Sequence, residues 1–540
     1  MSGSSDIQQD YIIVGAGSAG AALAARLTED PSTRVLLIEA GRASHPASRF
    51  PISFGLLIDN PAANWRYFSE PEPGTNNRAI PVPRGKMLGG SSSINGLVYV
   101  RGQPLDFNTW AQMGNRGWSY QDVAPIFRRM ESYEKGDDGV RGGSGPLRVS
   151  EVPDQNPLFD ALFAAAEHAG YRRNPDYNSE DQEGIVKTQT TIHKGRRMST
   201  AHCYLAPARG RPNLRIVTEA HTRRVLLDGT RCTGVEYERG GKRVTALAGR
   251  EVILCAGAVA TPQLLELSGI GNPDLLAPHG IPVKHELRGV GENFRDHMNA
   301  RIQWRIKVPG VSYNTRARGL GLLREAITYA TSGQGFYSLP SAPLLAFLRT
   351  RPDLETPDVQ MHLVPYAVKN PKKRQLHPFP AMTIACYQLR PESIGSIHIR
   401  SADPHVHPAI RFNFLVDPID QRTMVDGFRM MRKIANAPPM EPFIGEEYSP
   451  GADIGTDDEI LDYMRRNSET AYHPIGTCRM GPQANCVVDD KLRVHGLTGL
   501  RIADASIFPT MPSGNTNAPS IMVGEKAADL IRGVALAEAA

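Results

Sequence analysis

Three glycines spaced Gly15-x-Gly17-x-x-Gly20, with a carboxylate at Glu39, are the first residues in this sequence whose types and spacing carry chemistry. Glycine at 15 permits a tight turn, glycine at 17 lets backbone N–H groups approach a pyrophosphate, and glycine at 20 lets a helix pack closely on a strand. Glu39 sits where a carboxylate accepts hydrogen bonds from ribose hydroxyls and repels a 2′-phosphate, which argues against NADP. These residues do not by themselves separate FAD from NAD. A second stretch, residues 83–96, carries Arg84, Gly85, Lys86, Gly89, Gly90, three consecutive serines from Ser91, and Asn95 and Gly96. It is too flexible and polar for the interior of a helix or strand. Its N–H groups, hydroxyls and two cations suit a diphosphate or a ribityl chain; the alternative is a flexible linker.

The elements that must position these residues follow from the surrounding pattern. Residues 11–14 form an apolar run ending at Gly15, as expected of a parallel strand buried on both faces, and residues 21–27 are strong helix formers. Residues 34–38 predict a second strand closing on Glu39, which completes a βαβ unit. Residues 251–258 predict another buried strand meeting glycine, with a helix beginning at Thr261-Pro262. Residues 500–506 predict a further strand, and a helix follows residues 513–519, so the last seventy or so residues belong with the first. The middle differs: residues 357–364 and 396–400 alternate polar and apolar in the manner of half-exposed antiparallel strands.

A chain of 540 residues with 41% hydrophobic and 22% charged content is ample for a packed core and suggests two domains. The net charge of +5 arises from 61 basic and 56 acidic residues mixed along the chain, a mildly basic surface and no argument for nucleic acid. Lys372, Lys373 and Arg374 form the densest basic cluster, which lacks interleaved aromatics and reads as a solvated loop. Six cysteines without a C-x-x-C pair indicate no disulfide framework and fit a reducing compartment; Cys478 and Cys486 read as reduced structural thiols rather than a redox pair. No signal peptide and no membrane span are legible, so a cytoplasmic location is expected, peripheral to a membrane if the electron acceptor is a quinone. His405 and His407 are bracketed by prolines and lack a third ligand, so no metal is expected.

Three long segments resemble one family. Gly85-Lys86-x-Leu88-Gly89-Gly90-Ser91-Ser92-x-Ile94-Asn95, with Tyr99, Gly102 and Asn108, resembles the first signature of the glucose-methanol-choline (GMC) oxidoreductases. Gly257-Ala258-x-x-Thr261-Pro262-x-Leu264-Leu265-x-x-Ser268-Gly269-Ile270-Gly271 resembles the second, and Tyr472-His473-Pro474-x-Gly476-Thr477-Cys478-Arg479-Met480-Gly481 resembles the catalytic segment. The resemblance implies an α/β fold with a discontinuous Rossmann-like FAD-binding domain (1–155, 199–297 and 466–540) and an α+β substrate domain with an antiparallel sheet (156–198 and 298–465). It also settles FAD over NAD.

By resemblance, FAD contacts are expected at Gly15, Gly17, Ser18, Ala19, Gly20, Glu39, Ala40 and Trp65, and at Arg84, Gly85, Leu88, Gly89, Gly90, Ser91, Asn95, Gly96, Leu97 and Val98. Further contacts are expected at Thr222, Ala256, Gly257, Tyr472, Asp504, Ala505, Asn515 and Thr516. The same resemblance makes His473 the base that takes the hydroxyl proton of an alcohol while hydride leaves for flavin N5, and Asn515 the donor to the developing alkoxide. Some family members attach FAD through a histidine where this chain has Ile94, so noncovalent FAD is expected. Substrate contacts are expected at Tyr366, Tyr472, His473 and Asn515, with Phe336 and Tyr337 as further aromatic candidates. No carboxylate partner for choline is apparent, although Asn64-Trp65 and Asn77-Arg78 resemble the choline dehydrogenase and aliphatic alcohol dehydrogenase branch. The substrate expected is a small primary alcohol, and the acceptor either oxygen or a quinone or other carrier. Hydroxynitrile lyases and a light-driven fatty acid decarboxylase share the scaffold and remain the alternative class; alcohol-dependent bleaching of the flavin separates them.

Overall fold

The computed structural model describes residues 7–370 and 375–534, so the cluster Lys372-Lys373-Arg374 lies outside the described residues. In chain order come β1 (Ile7–Val14), α1 (Ser18–Leu27) and β2 (Val35–Ile38), then β3 (Gly184–Lys187). The run β4 (Leu214–Val217), β5 (Ala220–Asp228), β6 (Arg231–Arg239) and β7 (Lys242–Leu254) leads into α2 (Gly257–Leu267). There follow β8 (Met298–Ile306), β9 (Leu344–Leu348), β10 (Val359–Val364), β11 (Ala381–Gln388) and α3 (Pro418–Ala435). The last are β12 (Ile444–Ser449), β13 (Glu469–Thr470), β14 (Leu500–Ile502) and α4 (Asn517–Arg532).

One seven-stranded sheet has the order β4-β2-β1-β7-β6-β5, with β14 also on β7. Strand β7 is long enough to take β6 antiparallel along its first half, with Val235 opposite Ala246, and β14 parallel along its end, with Ile502 opposite Leu254. That is how residues 250 and 500 come to share an edge. Val14 also lies opposite both Ile38 and Leu254, and Val217 opposite Ile38, so five parallel strands end at one level. Gly15, Glu39, Cys255 and Ala503 leave the sheet side by side there, at the carboxyl edge where open α/β sheets bind ligands. Ile12, Ile13, Val35 to Leu37 and Val252 to Leu254 are wholly buried, the expected state of parallel strands covered on both faces. Helix α1 is alanine-rich, and this smallness lets α4 lie against it: a Cβ at Gly524 would fall 2.3 Å from the Ala19 carbonyl oxygen.

A second seven-stranded sheet, order β12-β8-β11-β10-β9-β3 with β13 on β8, is antiparallel throughout. Strand β8 shows the two-residue period plainly. Met298, Ala300, Ile302 and Trp304 are buried in a core shared with α3, while Asn299, Arg301 and Gln303 face the opposite side and line a cavity.

Three local expectations are corrected. Residues 396–398 do form a strand, but it pairs only with Ala409–Arg411 and stands outside the large sheet. The strand expected over 500–506 ends at Ile502, where Asp504 caps a short 3₁₀ turn through the Ser506 N–H. His405 reaches Glu238 and His407 packs on Tyr67, and no metal-binding cluster occurs among the described residues. The helix expected to begin at Thr261 begins at Gly257, so Pro262 lies inside it. Proline lacks the N–H that would bond the Ala258 carbonyl. The buried Thr477 hydroxyl donates to that carbonyl instead, at 2.7 Å. No helix among the described residues is long and apolar enough to cross a membrane.

Candidate active site

A cavity of about 540 Å³ opens at the carboxyl edge of the parallel strands and extends under the antiparallel sheet. Its first wall is the β1–α1 turn. Gly15 has φ +100°, and a Cβ there would meet the Cys255 carbonyl oxygen at 2.4 Å. At Gly17 a Cβ would meet nothing nearer than the Gly90 Cα at 4.0 Å, so protein packing does not demand glycine there; the cavity it lines does. Helix α1 begins without a side-chain cap and without an acid in its first turn, leaving its N-terminal dipole for an anion. Glu39 accepts from the N–H groups of Ala16 at 3.0 Å and Gly41 at 2.8 Å, which leaves half of its acceptor capacity for hydroxyls. Burial raises its pKa to about 7. Thr222 contributes a buried hydroxyl without a hydrogen-bond partner.

The second glycine-rich loop closes on the first. Gly90, at φ +50°, is so near the turn that a Cβ would lie 2.7 Å from the Gly17 Cα. Arg84, Gly85, Gly90, Ser91, Asn95, Gly96, Leu97 and Val98 line the cavity, as do Gly15, Gly17, Ser18, Ala19, Glu39, Ala40, Trp65, Thr222, Ala256, Gly257, Tyr472, Asp504, Ala505, Asn515 and Thr516. Gly20, Leu88 and Gly89 do not. Gly20 backs the turn, where a Cβ would meet the Gly15 carbonyl oxygen at 2.0 Å; Leu88 is core; and the Gly89 N–H donates to the Ala16 carbonyl at 2.7 Å, knitting the two loops together. Sequence reasoning missed Arg197, whose wholly buried guanidinium donates to the carbonyl and side-chain oxygens of Asn95, both at 2.7 Å. It holds the loop from outside, and no motif marks it. The open space at Gly17, the uncapped helix, the lone pairs of Glu39 and the unpaired Thr222 hydroxyl together fit an FAD.

The far end of the cavity holds His473, on a backbone turned sharply by Tyr472 at φ +70°. That left-handed conformation is strained for a tyrosine. It is pinned by the Thr470 hydroxyl, which accepts from the Tyr472 N–H at 2.7 Å, and by Arg84, which donates to the Tyr472 carbonyl at 2.8 Å. Asp296, its pKa raised to about 6 by burial, accepts from the N–H groups of His297 and His473. The imidazoles form a chain whose tautomers follow from its end. His297 Nε2 lies 2.9 Å from the Leu389 carbonyl, which can only accept, so Nε2 carries the proton. Burial lowers the His297 pKa to about 4, so the ring is neutral and its Nδ1 is an acceptor. His473 Nδ1, 2.9 Å away, is therefore the donor, and His473 Nε2 is bare. Asn515 Nδ2 donates to that Nε2 at 2.9 Å, while Asn515 Oδ1 accepts from Gln360 at 3.2 Å. The His473 pKa is held well below 6.5, by burial first and by His297, His362 and Arg84 after it.

Tyr366 and Tyr472 line the cavity; Phe336 and Tyr337 do not, being packed among Tyr313 and Tyr329. His297 and the cavity face of the antiparallel sheet, with Asn299, Arg301, His362 and Thr383, were not foreseen. Cys478 and Cys486 are buried free thiols.

Residues 9–299 match the N-terminal family model of the GMC oxidoreductases, and residues 391–524 match the C-terminal one. An oxygen-dependent choline dehydrogenase of Escherichia coli is 42% identical over 539 residues, covering 98% of this chain and 96% of its own length. Among solved structures, a formate oxidase superposes with a TM-score of 0.90 at 28% identity, covering 98% of this chain and 99% of its own. A pyridoxine 4-oxidase, reported from Mesorbium loti, gives 0.87 at 29%, covering 97% and 99%. Both family matches contribute residues to one cavity, and the chain belongs to the GMC oxidoreductases, FAD-dependent enzymes acting on CH–OH donors.

Proposed function

We propose that this chain oxidises a primary alcohol to the aldehyde with His473 as the base, on noncovalently held FAD. The bound flavin supplies the acceptor for the hydrogen that leaves the carbinol carbon as hydride. The observation that carries the reading is the bare Nε2 of His473, fixed by the hydrogen-bond chain through His297 to the Leu389 carbonyl. A substrate hydroxyl that replaces the direct Asn515–His473 hydrogen bond donates its proton to His473 Nε2 and accepts from Asn515 Nδ2. A positioned base of this kind contributes about 10²–10⁴ in rate, and a donor aimed at developing alkoxide a further few kcal/mol. Burial keeps His473 neutral through the physiological range, so it is available as an acceptor there. Arg84, Asp296 and Thr470 hold the Tyr472–His473 backbone that aims the ring.

Ile94 lines the cavity and offers no nucleophile, which supports a dissociable cofactor. We assign FAD binding to 1–155, 199–297 and 466–540 and substrate binding to 156–198 and 298–465; β13 crosses that division to pair with β8. The test is anaerobic stopped-flow reduction of the flavin across a panel of primary alcohols, followed by reoxidation with air or a quinone analogue. His473→Ala is expected to abolish reduction with FAD still bound, and Asn515→Ala to slow it. Near-normal reduction in the His473 variant removes this mechanism, and flavin remaining on acid-precipitated protein removes the noncovalent assignment.

A further inference from the structure

The substrate end of the cavity is roofed by one face of the antiparallel sheet. In adjacent rows across it lie His362, Ala385 and Arg301, then Val364, Thr383 and Gln303. Asn299 precedes Arg301 on the same face of β8, next to the His297 that orients His473. Asn299 is 9% exposed, and its Oδ1 is buried without a hydrogen-bond partner. A buried amide left unpaired is unfavourable by about 1–3 kcal/mol unless a ligand completes it. The charges around it are unfavourable to a cation. Among the described residues lining the cavity the carboxylates are Glu39 and Asp504, both at the nucleotide end. Glu469 lies opposite Asn299 in the β8–β13 pairing, but its carboxylate is bonded to Arg301 at 3.1 Å. Lys369, an exposed side chain, also lines the cavity. His362, its pKa lowered to about 4 by burial and by Arg301, adds no charge.

We propose that Asn299 is a specificity-determining residue that selects uncharged alcohols, its amide pairing with a polar group of the substrate, and that this wall rejects cationic alcohols such as choline. The inference rests on the alcohol-oxidising reading of the same cavity and goes against the substrate named for the choline dehydrogenase relative. A cation seated beside Asn299 would lose its hydration and gain no counter-charge except by breaking the Arg301–Glu469 pair. An uncharged alcohol meets none of these penalties.

Choline and 3,3-dimethylbutan-1-ol have the same shape and differ in one charged atom, so the pair isolates the charge. With the wild-type holoenzyme, kcat/KM is expected to favour the carbon isostere by at least about tenfold, the scale at which one unpaired buried group discriminates. Asn299→Asp, which puts a carboxylate in the same volume, is expected to move the ratio at least about tenfold towards choline, through KM and with FAD content unchanged. Calorimetric titration of the two compounds into the His473→Ala holoenzyme reads the same preference without turnover. A wild-type preference for choline, or a ratio that Asn299→Asp leaves unmoved, overturns the proposal. Failure of every alcohol to reduce the flavin would instead strike the reaction assigned to the site, with charge selection still decided by the titration.

Discussion

His297 touches neither end of the proposed chemistry, yet its removal is expected to slow flavin reduction. It is wholly buried, accepts the proton of His473 Nδ1 at 2.9 Å, and stacks on Tyr387 with ring centroids 4.6 Å apart. His297→Phe keeps most of the volume and the stacking but deletes the acceptor, so His473 either buries an unpaired N–H or turns to the tautomer whose Nε2 is protonated. The first outcome is unfavourable by about 1–3 kcal/mol, and the second leaves no base facing the substrate. Expressed in the reactive tautomer, that range corresponds to about 5- to 150-fold in the limiting rate of reduction. His297→Gln, which can accept at one atom and donate at the other, is expected to recover part of the loss. The assay is anaerobic stopped-flow flavin reduction against substrate concentration, which separates the limiting rate from the apparent Kd. A positioning role lowers the first and spares the second. A Phe variant that holds its FAD and reduces it within about twofold of wild type would refute the reasoning, since no buried hydrogen bond that fixes the tautomer is worth so little.

Two further predictions concern stability. Thr477→Val leaves the Ala258 carbonyl unpaired and is expected to destabilise by about 1–3 kcal/mol, but much less in a Pro262→Ala background, where residue 262 regains the N–H that bonds that carbonyl; equal drops in apparent melting temperature in both backgrounds would sink the pairing. His398 sits between Glu266 at 2.7 Å and Glu292 at 3.1 Å, and although burial opposes it, these partners raise its pKa from 6.5 to about 9. A raised histidine stabilises its protonated form, so this contribution, about 3 kcal/mol, is fully present below pH 6.5 and is lost as pH rises through about 9. Thermal scans at pH 6.5 and 9.5 should show a fall for wild type that His398→Gln lacks, and parallel falls in the two proteins would count against it.

The nucleotide half of the site was legible because its residues are short-range consequences of backbone geometry. Gly15, Gly17 and Gly20 fall within six positions of one another, so their spacing shows in the sequence even though the neighbours of Gly15 and Gly17, at Cys255 and Gly90, are distant. Leu88 and Gly89 were misplaced for the same reason: the loop they belong to was recognised, but which of its residues turn inward depends on the Gly89–Ala16 contact with a distant segment. Residues 298–304 also alternate polar and apolar, but nothing local says which face meets the cavity, so Asn299 and Arg301 passed unnoticed. Arg197 and His297 act through partners more than a hundred positions, or nearly a hundred, away in the chain, at Asn95 and Leu389. Pro262 misled because proline usually opens a helix; Thr477, more than two hundred positions on, is what lets this one sit inside.

The first helix of the nucleotide fold, α1, is completed by α4, and its sheet by β14, which arrives about 250 residues after its neighbour β7. A ribosome adding about 5–20 residues per second delivers β14 some 12–50 s after β7. During that interval the parallel strands have an open edge, and the Ala-rich face of α1 is bare. The cavity is therefore incomplete until residues 500–532 have been made, since β14, Asp504, Asn515 and the start of α4 all contribute to it.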